Sequence, residues 1–450
     1  MSHKPTVEEH LARAREPAEV ANKWHKYYKG KMQTIPRCAV RDINDFAIWY
    51  TPGVAEPCKA IHADKNKAYD YTNKWNTIAV ISDGTRLLGL GDLGPEAAMP
   101  VMEGKAMLFK YLGGVDAVPI CLDTKDPDEI IQAVKWLQPS FGGINLEDIS
   151  NPKCFYILDR LRAELSIPVW HDDQQGTATV TLAGLINALK VVCKKKEKVT
   201  VAVIGSGAAS ITILRLLFAD GIKPDNTVVV DSKAILHTGR TDLEDDQKVN
   251  PYKWDLCRKT NPEKRVGGIK EALKGMDVCI SMAKPGPGVI LPEWIKGMAK
   301  DSIVFACANP IPEIWPWEAK DAGARIFGTG RSDFPNQINN SMGFPAIFRG
   351  TLDVRATTIT DEMCLAAAHE LAQCAEERGI NEENIVPTMM EWEPFIREAA
   401  AVGMKAQEQG VARIKATREE LLKQARFMIE NARESFAMMM KEGFIPPAPK

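Results

Sequence analysis

Two acidic doublets in this chain of 450 residues could do chemistry together: Glu147–Asp148 and Asp172–Asp173. Each closes a short apolar run, INLED at 144–148 and IPVWHDD at 167–173. If those runs are strands, three or four carboxylates converge in one cleft, where they repel strongly and a cation makes them tolerable. Oxygen-only ligands point to Mg²⁺ or Mn²⁺ rather than zinc. His171 adjoins the second doublet, but a nitrogen ligand is not required. Taken singly, each doublet is also what a helix start recruits, because acids favour the first turn. It is the pair that points to a metal.

A second constellation lies in VTVAVIGSGAASITILRLLFADG, which reads strand, tight turn, helix. Gly205 and Gly207 let the backbone approach a pyrophosphate, Ser210 fills the third small position, and the helix starting at Ala208 and Ala209 offers free N–H groups. The next strand, TVVVD, ends at Asp231, near the offset of about 20 residues at which an acid meets the adenosine ribose. Asp231 there favours NAD. Ser232 and Lys233 follow at once and could meet a 2′-phosphate, which favours NADP; the choice stays open with a slight lean to NADP. Two cations flank these segments. Arg86 lies in SDGTRLLGLGDLG just after an apolar run, and Lys105 lies in the helix-like MPVMEGKAMLFKYL. On residue type alone each reads as an ordinary surface cation.

The elements that must position these groups are legible as alternation. Val- and Ile-rich runs recur at 78–84, 115–123, 144–148, 167–173, 199–205, 226–231, 277–284, 303–310 and 324–330. Continuous apolar runs of this length suit strands buried on both faces. Helical stretches at 127–138, 152–165 and 177–193 separate several of them, which predicts an α/β fold with largely parallel sheets. Several runs end in a polar group (Asp83, Asp123, Glu147, Asp172, Asp231, Lys284, Asn309), and in open α/β sheets ligands bind beyond the carboxyl ends of strands. The last ninety residues read as helices. One spans 360–378, stopped by Gly379, and another follows the Thr417/Glu420 capping box until Gly443 and Pro446–Pro447. Met438–Met440 reads as packing rather than a ligand site.

Bulk properties exclude other classes. At 45% hydrophobic and 26% charged residues the chain is globular rather than disordered, and its length predicts two domains with an appendage. A net charge of -2 with no basic stripe argues against nucleic acid. The lysine run 194–196 reads as a solvated helix end. No apolar run is long enough to span a bilayer. The opening MSHKPTVEEHLARARE carries acids and lacks the apolar core of a signal peptide. Ten scattered cysteines without metal-ligand spacing predict reduced, mostly buried thiols in a cytoplasmic protein.

Together these segments resemble the malic enzymes, in a short form. WYTPGVAEPC around Tyr50 resembles the family's tyrosine motif. SDGTRLLGLGDLG and PVMEGKAMLF look like its arginine and lysine segments, and INLED and HDDQQGTA like its metal motifs. VIGSGAA, ANPIPE and QINNSMGFPA complete the set in order, so the resemblance covers roughly 40–350. It implies an N-terminal malic (substrate) domain over 1–165, a Rossmann-like NAD(P) domain over 166–345, and a C-terminal helical region over 346–450 packing back on both. It implies that Glu147, Asp148 and Asp173 hold the metal, that Lys105 is general base supported by Asp172, and that Tyr50 is general acid. Arg86 would bind a substrate carboxylate; Asn309 and Asn340 would line the substrate and nicotinamide region. For Lys105 to act, burial and the nearby metal would lower its pKa toward working pH. The implied activity is metal-dependent oxidative decarboxylation of L-malate to pyruvate by a homodimer. Malolactic conversion to lactate, an amino-acid dehydrogenase and a non-catalytic dinucleotide sensor are the competing readings.

Overall fold

The computed structural model describes residues 7–449; the first six residues of the opening segment discussed above, and Lys450, lie outside them. Nine strands form among the described residues, one in each of the nine apolar runs, and all pair in parallel. The first sheet joins β1 (Thr77–Ser82), β2 (Asp116–Cys121), β3 (Gly143–Leu146) and β4 (Val169–His171) in the order β2-β1-β3-β4. The second joins β5 (Val201–Ile204), β6 (Thr227–Val230), β7 (Val278–Ser281), β8 (Ser302–Ala306) and β9 (Ala324–Thr329) in the order β6-β5-β7-β8-β9. Each order reverses beside the sheet's first strand, so each sheet has one switch point, β1/β3 and β5/β7. The crevice at such a point is where α/β sheets bind ligands. β4 pairs with β3, so the first sheet runs past residue 165, where the sequence reading divides the chain.

Strand burial explains the pairing. In β5, Val201 and Val203 face one apolar cluster while Ala202 and Ile204 face another, the period of two that a strand imposes. The first of these clusters is continuous across both sheets. It takes in Ile78 of β1, Leu182 of helix Thr177–Val191 and Phe305 of β8, and reaches Ile396 and Ile429 in the C-terminal helices. Helix Asp361–Glu377 packs against Thr177–Val191, and helix Arg418–Lys441 against Pro95–Gly113. The last helix starts at the predicted capping box: Glu420 N–H donates to Thr417 Oγ1 at 3.2 Å and Thr417 N–H to Glu420 Oε2 at 2.8 Å.

Two expectations need amending. Met438 and Met440 are exposed rather than packed. Lys194 is no free surface cation, since its Nζ pairs with Asp277 at 2.7 Å and donates to the Lys300 carbonyl. Residues 32–52, within the segment assigned to an α/β domain, form no strand, and all of them except Asp45 are exposed.

Candidate active site

Helix Pro95–Gly113 brings Lys105 to the carboxyl ends of β3 and β4. Lys105 Nζ lies 2.6 Å from Asp172 Oδ2 and 3.1 Å from Glu147 Oε1, and 4.2 Å from the centre of the Phe344 ring. All three charged side chains are buried. Trp170 Nε1 donates to the other Asp172 oxygen at 3.2 Å, and Asn145 Nδ2 to Glu147 Oε2 at 2.9 Å. Burial by itself would lower the Lys105 pKa, but the carboxylates of Asp172 and Glu147 outweigh it and hold the ammonium above its ordinary range. Among the protein's own groups one buried ammonium thus serves two carboxylates, and the lowered pKa expected of Lys105 depends on a cation that offsets those acids.

Asp148 and Asp173 join the same cluster. Asp148 takes a left-handed backbone (φ +53°), a costly conformation for a non-glycine and one that neighbours must enforce. Its carbonyl accepts Arg86 N–H at 3.0 Å, its Oδ1 accepts Leu88 N–H at 3.3 Å, and its own N–H donates to Asp173 Oδ2 at 2.9 Å. These bonds tie the loops after β1, β3 and β4 across the first switch point. They also set Arg86, whose side chain is exposed, beside the acids. Burial, then the Asp173 charge, pushes the Asp148 carboxyl up to about 8. Burial likewise lifts Glu147 well above its usual range. His171 is fully buried and burial lowers its pKa, so it stands neutral, with Nδ1 3.8 Å from Asp173.

The donor set suits a hard cation. It is all oxygen and mutually repelling, Glu147 and Asp148 are buried while Asp173 is part-exposed, and Asp148 Oδ2 is buried with no hydrogen-bond partner. As the side chains are placed, no three of His, Cys, Asp and Glu among the described residues converge closely enough to hold a metal. Lys105 supplies the countercharge between two of them.

The dinucleotide elements lie alongside. The segment Asp172–Gly176 packs against helix Ala208–Ala219, which begins at the glycine turn. Gly205 sits at the second switch point with φ +104°, and a Cβ there would stand 2.8 Å from the Met282 carbonyl after β7. A side chain at Gly207, by contrast, would meet nothing within 4 Å, leaving the turn open. Ser210 is fully buried in the helix–strand packing, and Ala208 and Ala209 are half-buried at the helix start. Asp231 is saturated. It accepts the Lys233 and Ala234 N–H groups at 2.9 Å, and pairs with Arg240 at 2.8 Å and Lys253 at 2.6 Å. Although burial opposes it, these partners hold its carboxyl well below the usual range. Ser232 and Lys233 are exposed beside it.

Asn340 reaches the acid cluster: a Cβ built at Gly176 would lie 2.0 Å from Asp172 Oδ1 and 3.2 Å from Asn340 Cβ. Asn309 is exposed on the loop after β8. That loop is strapped by a residue the sequence reading passed over. Buried Glu313 accepts Ser281 Oγ at 2.7 Å, Ala283 N–H at 2.9 Å and Ala308 N–H at 3.1 Å. The signal was present in the quoted ANPIPE, whose lone acid closes an otherwise uncharged motif. Tyr50 is not brought to the cluster. It is 71% exposed, and its described hydrogen bonds are backbone ones to Phe46 and Val54.

Residues 29–162 match the family model for the malic enzyme N-terminal domain, and residues 174–407 the model for the malic enzyme NAD binding domain. The chain is 48% identical over 402 residues to a bifunctional malic/malolactic enzyme of Bacillus subtilis, covering 89% of this chain and 96% of that one. It is 51% identical over 384 residues to an NAD-dependent malic enzyme of Geobacillus stearothermophilus, covering 85% and 78%. The crystal structure of Entamoeba histolytica malic enzyme superposes with a TM-score of 0.96 at 49% identity, covering 100% of this chain and 93% of that one.

Proposed function

This chain belongs to the malic enzyme family, and from that premise we propose how its residues carry out NAD(P)-dependent oxidative decarboxylation of malate to pyruvate and CO₂. The observation that carries the reading is the buried Lys105 held between Asp172 and Glu147, next to the segment that packs on the dinucleotide helix. Arg86, at the first switch point, holds a carboxylate of L-malate. Lys105, in its neutral form, takes the proton of the 2-hydroxyl, and Asp172, already bonded to Nζ, orients it and balances the charge it gains. Hydride leaves C2 toward the cofactor, CO₂ departs from C4, and Tyr50 returns a proton to C3. Asn309 and Asn340 position the substrate and the nicotinamide. Glu147, Asp148 and Asp173 would hold Mg²⁺ or Mn²⁺, which when bound supplies positive charge and Lewis acidity beside the C2 oxygen.

Gly205, Gly207, Ala208 and Ala209 form the pyrophosphate turn. With its charge already met by Arg240 and Lys253, Asp231 is a weak barrier to a 2′-phosphate; Ser232 and Lys233, whose Nζ pairs with Asp242 at 2.9 Å, are the groups that would meet it, which favours NADP. The first sheet is the substrate half and the second the dinucleotide half. The enzyme is a cytoplasmic homodimer with no nucleic-acid or membrane partner. Ten free thiols, six of them buried, support a reducing compartment, and none of the described helices is long and apolar enough to cross a membrane.

The test is spectrophotometric: L-malate and Mn²⁺ with NAD⁺ or NADP⁺ in separate cuvettes, with and without EDTA. Metal-dependent reduction, pyruvate as product and faster turnover with NADP⁺ are expected. Turnover that survives EDTA and dialysis would remove the metal assignment, and faster NAD⁺ turnover the cofactor preference. Similarity to the bifunctional Bacillus relative makes lactate worth assaying; lactate without net cofactor reduction would mean malolactic chemistry.

A further inference from the structure

Asn309 stands exposed on the loop after β8, yet the backbone on both sides of it is tethered. On one side the Ala308 N–H donates to buried Glu313 at 3.1 Å. On the other, the Pro310 carbonyl accepts Arg331 Nη1 at 2.9 Å. Arg331 comes from the loop after β9, so its bond crosses from one strand end to the next. The side chain is only 12% exposed. Its Nε and Nη2 are held by the two carboxylate oxygens of Asp333 at 2.8 Å and 2.7 Å, and the guanidinium carbon lies 5.5 Å from the centre of the Phe334 ring. A planar fork fixed on a carboxylate and an aromatic face has one orientation, which aims Nη1 at Pro310. Phe334 is buried in turn, its ring 6.5 Å from Trp315 and 6.4 Å from Trp317, the stacked pair that follows ANPIPE in the chain.

The residue before Arg331 supplies the surface on which Asn309 rests. A Cβ built at Gly330 would stand 2.9 Å from Asn309 Nδ2, 3.2 Å from Asn309 Oδ1 and 3.0 Å from the Cys307 carbonyl. Both carboxamide atoms therefore lie against bare backbone, and any side chain at Gly330 must displace them. The Gly330 carbonyl also accepts Asn339 Nδ2 at 2.9 Å, and Asn339 Oδ1 accepts Ser341 N–H at 3.0 Å, on either side of Asn340. One dipeptide thus touches the segments that carry both asparagines. Glu313 differs in also holding the end of β7, beside Gly205 of the pyrophosphate turn.

We propose that Gly330 and Arg331 are positioning residues for hydride transfer: Arg331 pins the Pro310 carbonyl, Gly330 leaves room for the carboxamide, and together they set the direction in which Asn309 faces the nicotinamide. The proposal rests on the reading of Asn309 as a group that positions substrate and nicotinamide. Hydride passes from C2 of malate to the nicotinamide ring only when the two are aligned, and a misplacement of about 1 Å can cost about 10²-fold. Malate and metal are held by other loops, those after β1, β3 and β4, which the Arg331 side chain does not bond.

The test compares Arg331→Met, Gly330→Ala and Asn309→Ala, alone and in pairs, in malate turnover with protiated malate and with malate deuterated at C2. Arg331→Met and Gly330→Ala are each expected to lower kcat about 10–10²-fold. KM for malate should stay within about twofold of wild type, since binding groups are untouched. Hydride transfer should limit the slowed variants, so the deuterated substrate should turn over more slowly still. In the Asn309→Ala background neither substitution should lower kcat further, because both act through that side chain. Losses that multiply in the double variants would overturn the proposal, as would slowed variants that show no isotope effect on kcat. Gly330→Ala keeps Arg331 and its ion pair, so it tests the idea even if Arg331→Met does not fold; wild-type kcat in Gly330→Ala would also overturn it. Asn309→Ala with full turnover would instead remove the reading of Asn309, and the proposal with it.

Discussion

At Gly176 the placement of one side chain depends on the absence of another. The residue is not in a left-handed conformation, so its requirement is space alone: an added methyl would stand 2.0 Å from Asp172 Oδ1. Asp172 could yield only by breaking its 2.6 Å contact to Lys105 and its bond from Trp170. Gly176→Ala is therefore expected to keep the fold, by circular dichroism, and to lower kcat about 10²-fold, the effect of misplacing a catalytic group by about 1 Å. More than half of wild-type turnover in a folded variant would sink the assignment of Asp172. The acids, Lys105 and Arg86 were legible in the sequence because doublets at strand ends and an ordered set of motifs are local patterns. The protonation state of Lys105 was not legible. It follows from which carboxylates end up nearest Nζ, and those come from two separate strands.

At the scale of elements, what matters is how two strand ends are held to each other. Glu313 joins the ends of β7 and β8 by accepting three hydrogen bonds from Ser281, Ala283 and Ala308. It thereby sets the loop that carries Asn309. Glu313→Ala would leave two backbone N–H groups unpaired in a buried place, at a cost of about 1–3 kcal/mol each. It is expected to raise the KM for the cofactor about tenfold. Glu313→Gln, which keeps an acceptor oxygen, should recover much of that. Equal defects in both variants would mean that charge rather than hydrogen bonding carries the role. The nine strands of the described residues were legible as continuous apolar runs; eight are buried along nearly their whole length, whereas edge strand β2 is only partly covered, with Val118 exposed. The exposure of residues 32–52 was not legible: Ile43, Ile48 and Trp49 are of types usually buried, yet all three are exposed.

Across the whole molecule the chain closes on itself: its last long helix, Arg418–Lys441, packs on Pro95–Gly113, the helix that carries Lys105. The closest approach is at Gly114, which ends the earlier helix with φ +64° and where a Cβ would stand 2.6 Å from the Met428 carbonyl. Arg433 over the Tyr111 ring, and Phe436 edge-on to it, continue the contact. Alanine at Gly114 therefore meets two penalties, a left-handed backbone costing about 1–2 kcal/mol and a backbone collision that must push the helices apart. Gly379 provides the control. Its φ is +89° with nothing within 4 Å of an added Cβ, so alanine there incurs the backbone penalty alone. Gly114→Ala is expected to lose about 2–4 kcal/mol in denaturant unfolding and Gly379→Ala about 1–2, with kcat reduced only in the first. Because one apolar cluster spans both sheets and these helices, the loss should appear as an earlier midpoint of a single transition. Equal losses at the two glycines, or a separate early transition for the C-terminal helices, would show that the appendage does not brace the catalytic helix.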